Sequence, residues 1–160
     1  MRNNDDECFR WCHLAHRLAI EKDPQRVSKY RNHVNELDYS GVEFPVRQNQ
    51  YGMVEKQNAI NVNVFRYEDR RPFPIYVSHE SNEDVLNLLL IIEGKKQHYV
   101  YIKNFNRFMF RHGKNSNGKH FFMHCLQCFS SETILENHKE VCVVVNGKQA
   151  IKMPPAGSTL

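Results

Sequence analysis

The stretch 85-VLNLLLIIEGKKQHYVYIK-103 decides the fold that this 160-residue chain is expected to adopt. Its first eight residues, Val85–Ile92, are nearly continuous in apolar side chains, which predicts a central strand that is covered on both faces. Gly94, Lys95 and Lys96 follow as a turn, and His98–Lys103 has the composition of the next strand. These two strands form the centre of the predicted sheet.

Two further strand-like runs precede this stretch, and helical segments precede them. The earlier strands are predicted at Ile60–Tyr67 and Phe73–Val77. Acidic residues before Cys8 suit the positive end of a helix dipole, and Asp23-Pro24 is typical of a helix start. The predicted helices are therefore Cys8–Ile20, a second one from Pro24 to about Leu37, and one or two turns over Tyr51–Gln57. This order predicts an α+β fold with N-terminal helices followed by an antiparallel sheet.

The clearest chemical motif lies C-terminal to the predicted sheet, in 120-HFFMHCLQCFSSETILENHKEVC-142. Its pattern is C-x2-C-x9-H-x3-C, formed by Cys125, Cys128, His138 and Cys142. A tight turn supplies two ligands and successive helical turns supply two more, which matches the tetrahedral thiolate and imidazole set that zinc takes. The motif predicts a zinc ion in a structural, ββα-like C2HC finger.

Neighbouring residues support a finger and leave the ligand set open. Ser130 or Ser131 can cap the predicted helix. The spacing from the second cysteine to the helix is about three residues shorter than in usual C2H2 fingers. His124 and His120 are therefore the alternative ligands, and four buried or disulfide-bonded side chains are the alternative to a metal site.

Length, composition and cysteine use limit the class of protein. The chain accommodates a helix-then-sheet domain over residues 1–112, the finger over 113–145 and a linker over 146–160. Neither a membrane span nor a signal peptide is predicted, and five cysteines in this pattern suit a reducing compartment. We therefore expect an intracellular protein, nuclear or cytoplasmic, whose net charge of +4 permits contact with DNA without requiring it.

A second constellation predicts a cysteine peptidase. Cys8 lies in the first turn of a predicted helix, where the dipole and free N–H groups stabilise a thiolate and can bind an oxyanion. His98 lies on a later strand, where a papain-like fold places its general base. Asp5, three residues before Cys8, resembles the Asp-x-x-Cys of OTU-type deubiquitinases, and His98-Tyr99 resembles their His-aromatic pair. The predicted substrate is then ubiquitin or a ubiquitin-like modifier.

The residue that would orient the imidazole is left open by the sequence. Asn104 is the first candidate, and Asn115 and Asn117 lie at the spacing expected for the next strand. The acidic residues beside Cys8 oppose thiolate formation, so a buried structural cysteine is the alternative for Cys8. Cys8, Cys12 and His16 recur every four residues, which indicates either a second metal site or the apolar face of the helix.

Basic and aromatic residues alternate after the predicted sheet. This pattern is typical of a groove that binds single-stranded nucleic acid, with charges for phosphates and rings for bases. A packed core with a solvated basic face is the alternative. The basic residues are Lys103, Arg107, Arg111, His112, Lys114 and Lys119, and the aromatic residues are Phe105, Phe108, Phe110 and Phe121.

Several segments together resemble one family. They are NNDDECFRWC, RVSKY, ELDYSGVEFPV, EKQNAINVNVF, LNLLLI, HYVYIKNFNRF, NGKHFFMHCLQCFSSETILENHKEVC and KMPPAGSTL. In this order they resemble the region upstream of the exonuclease domain in family B DNA polymerases of Polinton/Maverick type. The resemblance implies a polypeptide of mobile-element origin. The given sequence does not contain the exonuclease and polymerase carboxylate motifs of that family, so this chain is not expected to polymerise or proofread.

Two functions of different classes follow from the sequence. The first is a papain-like cysteine peptidase, a deubiquitinase-like hydrolase with Cys8 as nucleophile, His98 as base and Asp5 and Asn104 as supporting residues, joined to a structural zinc finger. The second is a non-catalytic, zinc-containing accessory domain of a DNA polymerase that binds nucleic acid or a protein partner.

Overall fold

The computed structural model describes residues 5–69, 71–80, 82–110 and 119–145, with side chains described as far as residue 142. The chain divides into two compact units, residues 1–116 and 117–160. The first unit combines helices with a four-stranded mixed sheet, and the second combines a two-stranded sheet with one helix. The α+β class is therefore confirmed.

The regular elements follow one another in the order helix, helix, four strands, helix in the first unit. Three short 3-10 segments, Val27–Lys29, Arg31–Glu36 and Gln48–Gln50, lie between the first two α-helices. The elements are α1 (Cys8–Leu18), α2 (Tyr51–Asn58), β1 (Asn61–Glu68), β2 (Arg71–Tyr76), β3 (Val85–Glu93), β4 (Lys96–Tyr101) and α3 (Phe105–Phe110). Within the described residues, every helix is too short or too polar to cross a membrane.

The predicted second helix is wrong, because its residues form 3-10 turns instead. Asp23 has a left-handed backbone with φ of 50° and so does not start a helix before Pro24. The chain then buries Val27 and Tyr30, three residues apart, which suits the three-residue turn of a 3-10 helix. The Tyr30 hydroxyl donates a hydrogen bond to the Pro24 carbonyl at 2.7 Å and holds the segment together.

The sheet has the strand order β2-β1-β3-β4 and mixed direction. β1 pairs with β2 and β3 pairs with β4 antiparallel, but β1 and β3 run parallel, with Val64 opposite Leu88. The predicted fully antiparallel sheet is therefore wrong at this pair. β2 occupies one side of β1, so β3 pairs along the other side of β1. The prediction that β3 is a central strand is confirmed.

One face of the sheet packs against α1 and α2 and holds the main core. The Phe9 ring lies 4.9 Å from the Tyr99 ring and 5.8 Å from the Tyr51 ring, measured between centroids. The Tyr51 and Tyr99 hydroxyls lie 2.7 Å apart, and the Tyr99 hydroxyl donates to the Val46 carbonyl. The buried hydroxyls of Tyr51 and Tyr99 are therefore both paired.

The other face of the sheet is covered in part by α3. The Phe65 ring on β1 contacts the rings of Phe105 and Phe108 at 5.4 and 5.7 Å. Asn104 begins this helix, because its side-chain oxygen accepts a hydrogen bond from the Arg107 N–H at 2.8 Å. α3 is only six residues long, so part of this face stays accessible.

Within its described residues, 119–145, the second unit contains β5 (His120–Phe121), β6 (Cys128–Phe129) and α4 (Glu132–Val145). β5 and β6 pair antiparallel. Ser131 caps α4 with its hydroxyl, which accepts the Ile134 N–H at 3.3 Å, as predicted for one of the two serines. The small core contains Phe122, Leu135 and Cys142, with Phe129 and Cys125 packed against it.

Candidate functional site

Three of the four predicted metal ligands converge in the second unit. The donor atoms of Cys125, His138 and Cys142 all lie within 4.8 Å of one another. The Cys125 Sγ and the His138 Nε2 are 3.2 Å apart. Ligands of a tetrahedral zinc are separated by about 3.5–3.8 Å, given its usual bond lengths to sulfur and nitrogen. The group could therefore hold a metal ion.

Local structure explains why these three side chains meet. Leu126 has a left-handed φ of 59°, and its N–H donates to the Phe122 carbonyl at 2.7 Å, which turns the chain tightly at Cys125. His138 and Cys142 are four residues apart on α4 and so lie on one face of that helix. The Phe129 ring lies 4.6 Å from the His138 ring and restrains the imidazole.

Cys128 does not belong to this group, and its predicted role as a ligand is not confirmed. It lies on β6 and is exposed. The alternative ligands His124 and His120 are also outside the group. The His124 ring instead lies 5.0 Å from the Phe122 ring, and burial, helped by the positive charge of Lys139, lowers its pKa.

The electrostatics of the group favour a cation. Burial raises the pKa of the Cys125 thiol, and the neighbouring Cys142 raises it further, because two thiolates in one small core repel each other. A divalent ion would stabilise both thiolates at once, which is why metal binding and deprotonation are coupled in such sites.

Cys8 lies at a different kind of site, the outer edge of β4. Its side chain is 1% exposed, and its Sγ accepts a hydrogen bond from the Tyr99 N–H at 3.3 Å. One turn later, the Cys12 thiol donates to the Tyr99 carbonyl at 3.4 Å. The two cysteines thus satisfy both backbone groups that Tyr99 would otherwise present on the free edge of the sheet.

The acid-base chemistry of both thiols differs from that of a nucleophile. Burial raises the pKa of the Cys8 thiol and the negative charge of Asp5 adds to this, against the N–H groups of Tyr99 and Phe9 that lower it. Burial raises the pKa of Cys12 to about 12. A reactive cysteine needs an accessible thiol with a lowered pKa.

The structure does not pair Cys8 with His98. The Tyr99 side chain packs into the core beside α1, so the alternation of a strand directs His98 to the opposite face of the sheet. His98 is paired across the sheet with Ile91. Burial lowers its pKa, and no described residue forms a hydrogen bond with its ring.

Asp5 and Asn104 have structural partners of their own. The Asp5 carboxylate accepts hydrogen bonds from the Trp11 indole N–H and from the Glu7 N–H, each at 3.0 Å. Asn104 is the N-cap of α3. Asn115 and Asn117, the other candidates for orienting His98, lie outside the described residues.

The predicted second metal site on α1 is not formed in the described part of the chain, since each of its members has a protein partner. Cys8 and Cys12 bond to Tyr99, as described above. The His16 ring lies between the Tyr101 hydroxyl at 3.1 Å and an Asp84 carboxylate oxygen at 2.6 Å. The alternative interpretation, a helix face that packs on the sheet, is the one that the structure supports.

A groove lies on the face of the sheet opposite α1, with a volume of about 460 Å³. Its floor contains Leu89 and Val100, and its walls carry both aromatic and basic side chains. Tyr67 is 37% exposed, and its ring lies 5.4 Å from the Phe108 ring. The groove is lined by Tyr67, Leu89, Val100, Tyr101, Ile102, Lys103, Asn104, Arg107 and Phe108.

The two basic residues of the groove have free charges. Lys103 and Arg107 are exposed, and no carboxylate among the described residues forms an ion pair with either. The alternation of basic and aromatic residues in the sequence indicated Lys103, Arg107 and Phe108. It missed Tyr67 and Leu89, which come from strands far earlier in the chain. Arg111, His112 and Lys114 lie outside the described residues, and Lys119 belongs to the second unit.

Comparison of the chain with protein-family models, with curated proteins and with solved structures finds no match to any of them.

Proposed function

We propose that the chain is a non-catalytic module that binds single-stranded nucleic acid in the groove between α3 and the sheet and carries a structural zinc ion in its second unit. The observation that carries the proposal is the meeting of Lys103 and Arg107 with Tyr67 and Phe108 around one open groove. Unpaired cations attract phosphates, and an exposed ring offers a stacking surface for a base.

The character of the groove supports a single strand over a duplex. A base stacks on a ring only when its π-face is accessible, and in a duplex both faces are covered by neighbouring base pairs. Tyr67 presents its ring beside the apolar floor of Leu89 and Val100, while the two cations lie at the α3 side. In this arrangement the apolar floor would receive the bases of a nucleic-acid strand, and the charged rim would receive its phosphates.

Zinc is the metal that fits the second unit best. Two thiolates and an imidazole form a donor set typical of structural zinc. Cys125, His138 and Cys142 would hold the ion, and Cys128 is proposed as the fourth ligand from its spacing. The ion would join the β5–β6 turn to α4, because one cysteine comes from the turn and the other two ligands come from the helix.

The resemblance to the region upstream of the exonuclease domain in Polinton/Maverick-type DNA polymerases stays a prediction. It supplies a setting for the proposed module, since a polymerase acts on a single-stranded template. In that setting the module would hold the unpaired strand for the catalytic domain of a polymerase.

The test is a fluorescence anisotropy titration with labelled oligo(dT) at several salt concentrations. The double variant Lys103→Gln/Arg107→Gln should bind at least tenfold more weakly, with the slope of log K against log salt smaller by roughly 1.4, because two phosphate contacts are lost. Tyr67→Ala should weaken binding roughly 5- to 100-fold through the loss of one stacked base.

The matched control is Arg31→Gln/Lys56→Gln. It removes the same two charge types from exposed positions that do not line the groove. Binding that is insensitive to salt, or that weakens equally in both double variants, contradicts the proposal.

The cysteine peptidase also stays a prediction, and burial of Cys8 argues against it. Ubiquitin and ubiquitin-like probes with a C-terminal electrophile should leave the protein unlabelled, because the thiol is covered and its pKa is raised. Labelling that disappears in Cys8→Ala would instead support the peptidase.

A further inference from the structure

Beyond the groove, the same face of the sheet carries an apolar side chain that is partly exposed to solvent. Ile91 is 39% exposed on β3. In the register of the two strands, Leu89 is opposite Val100 and Ile91 is opposite His98. Side chains two residues apart on a strand point to the same face. Ile91 and His98 therefore continue the floor that Leu89 and Val100 form in the groove.

We propose that this strip, Ile91 and His98, is a second base-binding position and that the nucleic-acid strand runs along β4 from Lys103 to His98. The inference rests on the function proposed above. It assigns His98 to ligand binding on the groove face, in place of a role beside Cys8. Charge at both ends suits this path, since Lys103 lies at one end of β4 and Lys96 begins the strand at the other.

The strip suits a base because it combines an aliphatic and an aromatic surface. Ile91 offers apolar area and His98 offers a flat ring that no described residue holds by a hydrogen bond.

The length of the proposed path from Lys103 to His98 gives the number of nucleotides that it can hold. Five residues separate His98 from Lys103, which is at most about 16 Å along an extended chain. A stacked single strand advances about 3.4 Å per nucleotide, so the path holds roughly five nucleotides. A groove without the strip would hold about half of that number, since Val100 and Lys103 are only three residues apart.

Affinity measured against oligo(dT) of 2, 3, 4, 5, 6, 8 and 12 nucleotides tests the inference. We expect affinity to rise steeply up to about five nucleotides and then only with the number of binding registers. Ile91→Ser and His98→Ala should each weaken binding of the 6-mer roughly 3- to 30-fold through reduced stacking. Both should leave binding of the 2-mer unchanged.

The chain offers closely matched controls for both variants. Ile92 is 43% exposed and lies next to Ile91 on β3, but alternation directs it to the opposite face. Gln97 has the same relation to His98 on β4. Ile92→Ser and Gln97→Ala should leave binding at every length within twofold of the unchanged protein.

Each outcome separates the two proposals. Tight binding of long oligonucleotides that is unaffected by Ile91→Ser and His98→Ala, or a plateau at two or three nucleotides, overturns the second base position and leaves the groove in place. Equal losses in the Ile92 and Gln97 controls also overturn it. Absence of binding at every length overturns the proposed function, and this inference with it.

Discussion

Two helices of this protein carry metal-ligand residues at the same spacing and use them differently. Cys8 and Cys12 are four residues apart on α1, and His138 and Cys142 are four residues apart on α4. Both pairs lie on one face of their helix. On α1 the thiols bond to the backbone of Tyr99, whereas on α4 the side chains meet Cys125 from a turn.

The difference is decided by what each helix packs against. α1 lies along the free edge of β4, where an N–H and a carbonyl need partners and a thiol can serve as acceptor or donor. α4 packs against a hairpin whose turn supplies another thiol. A helical pair of ligand residues is therefore a metal site only where a third donor reaches it.

Removal of the metal should have the largest effect on stability. It should unfold α4 and leave α1 folded. Zinc in such fingers contributes about 10 kcal/mol or more of apparent folding free energy, so chelation or Cys142→Ser should unfold the second unit. The first unit should keep its cooperative melting, because its core contains none of the ligands. Two-dimensional NMR of the full chain, with zinc counted by mass spectrometry, measures both. Persistence of α4 signals after chelation would contradict the metal role.

The pH dependence of stability tests how completely water is excluded from the buried face of α1. Burial lowers the pKa of His13 to about 4, and the positive charges of His16 and Arg17 act in the same direction while Asp84 opposes them. The pKa of His13 is lower in the folded chain than in the unfolded chain. As the pH falls, the unfolded chain therefore binds a proton at this histidine before the folded chain does. Stability is therefore full above about pH 6.5 and should fall by roughly 2–3 kcal/mol as the pH drops to about 4.

The comparison of His13→Gln with the unchanged protein isolates this effect. Glutamine can keep a hydrogen bond to the Tyr39 hydroxyl, which lies 3.0 Å from the His13 Nδ1, but it does not titrate. Urea unfolding at several pH values should show a shallower loss of stability in the variant. Parallel curves for the two proteins would mean that the His13 site admits water.

Replacement of Cys12 should have the smallest of these effects. Cys12→Ala removes a buried sulfur and leaves the Tyr99 carbonyl without its donor, which should lower the free energy of unfolding by about 1–2 kcal/mol. The zinc content should not change. A loss of bound metal in Cys12→Ala, measured beside Cys142→Ser, would show that α1 contributes to a metal site after all.

Much of the local structure could be predicted from the sequence. The predicted strands begin and end within about three residues of the observed ones, because their apolar runs and turn residues act locally. The Ser131 cap and three members of the metal group follow from spacing alone. Each of these depends on residues close together in the chain.

The candidate catalytic residues could not be judged from the sequence, because their environment comes from distant residues. Cys8 was assigned to a helix start correctly, but the partner of its thiol lies 91 residues later, on β4. The pairing of β1 with β3, which made the sheet mixed, depends on where β2 lies. Asn104 resembles a catalytic residue by position and is in fact a helix cap.

The sequence by itself therefore determined the strands, the starts of α1 and α4 and the spacing of the metal ligands, since these depend on alternation, capping and turn geometry. The tertiary structure alone decided that Tyr67 meets Phe108 at a groove and that His98 turns away from Cys8. A one-residue difference along β4 places Tyr99 in the core and His98 on the opposite face. The side of the sheet on which each helix packs depends on residues far apart in the sequence. It decides that the face with Tyr99 is buried and that the face with His98 is accessible.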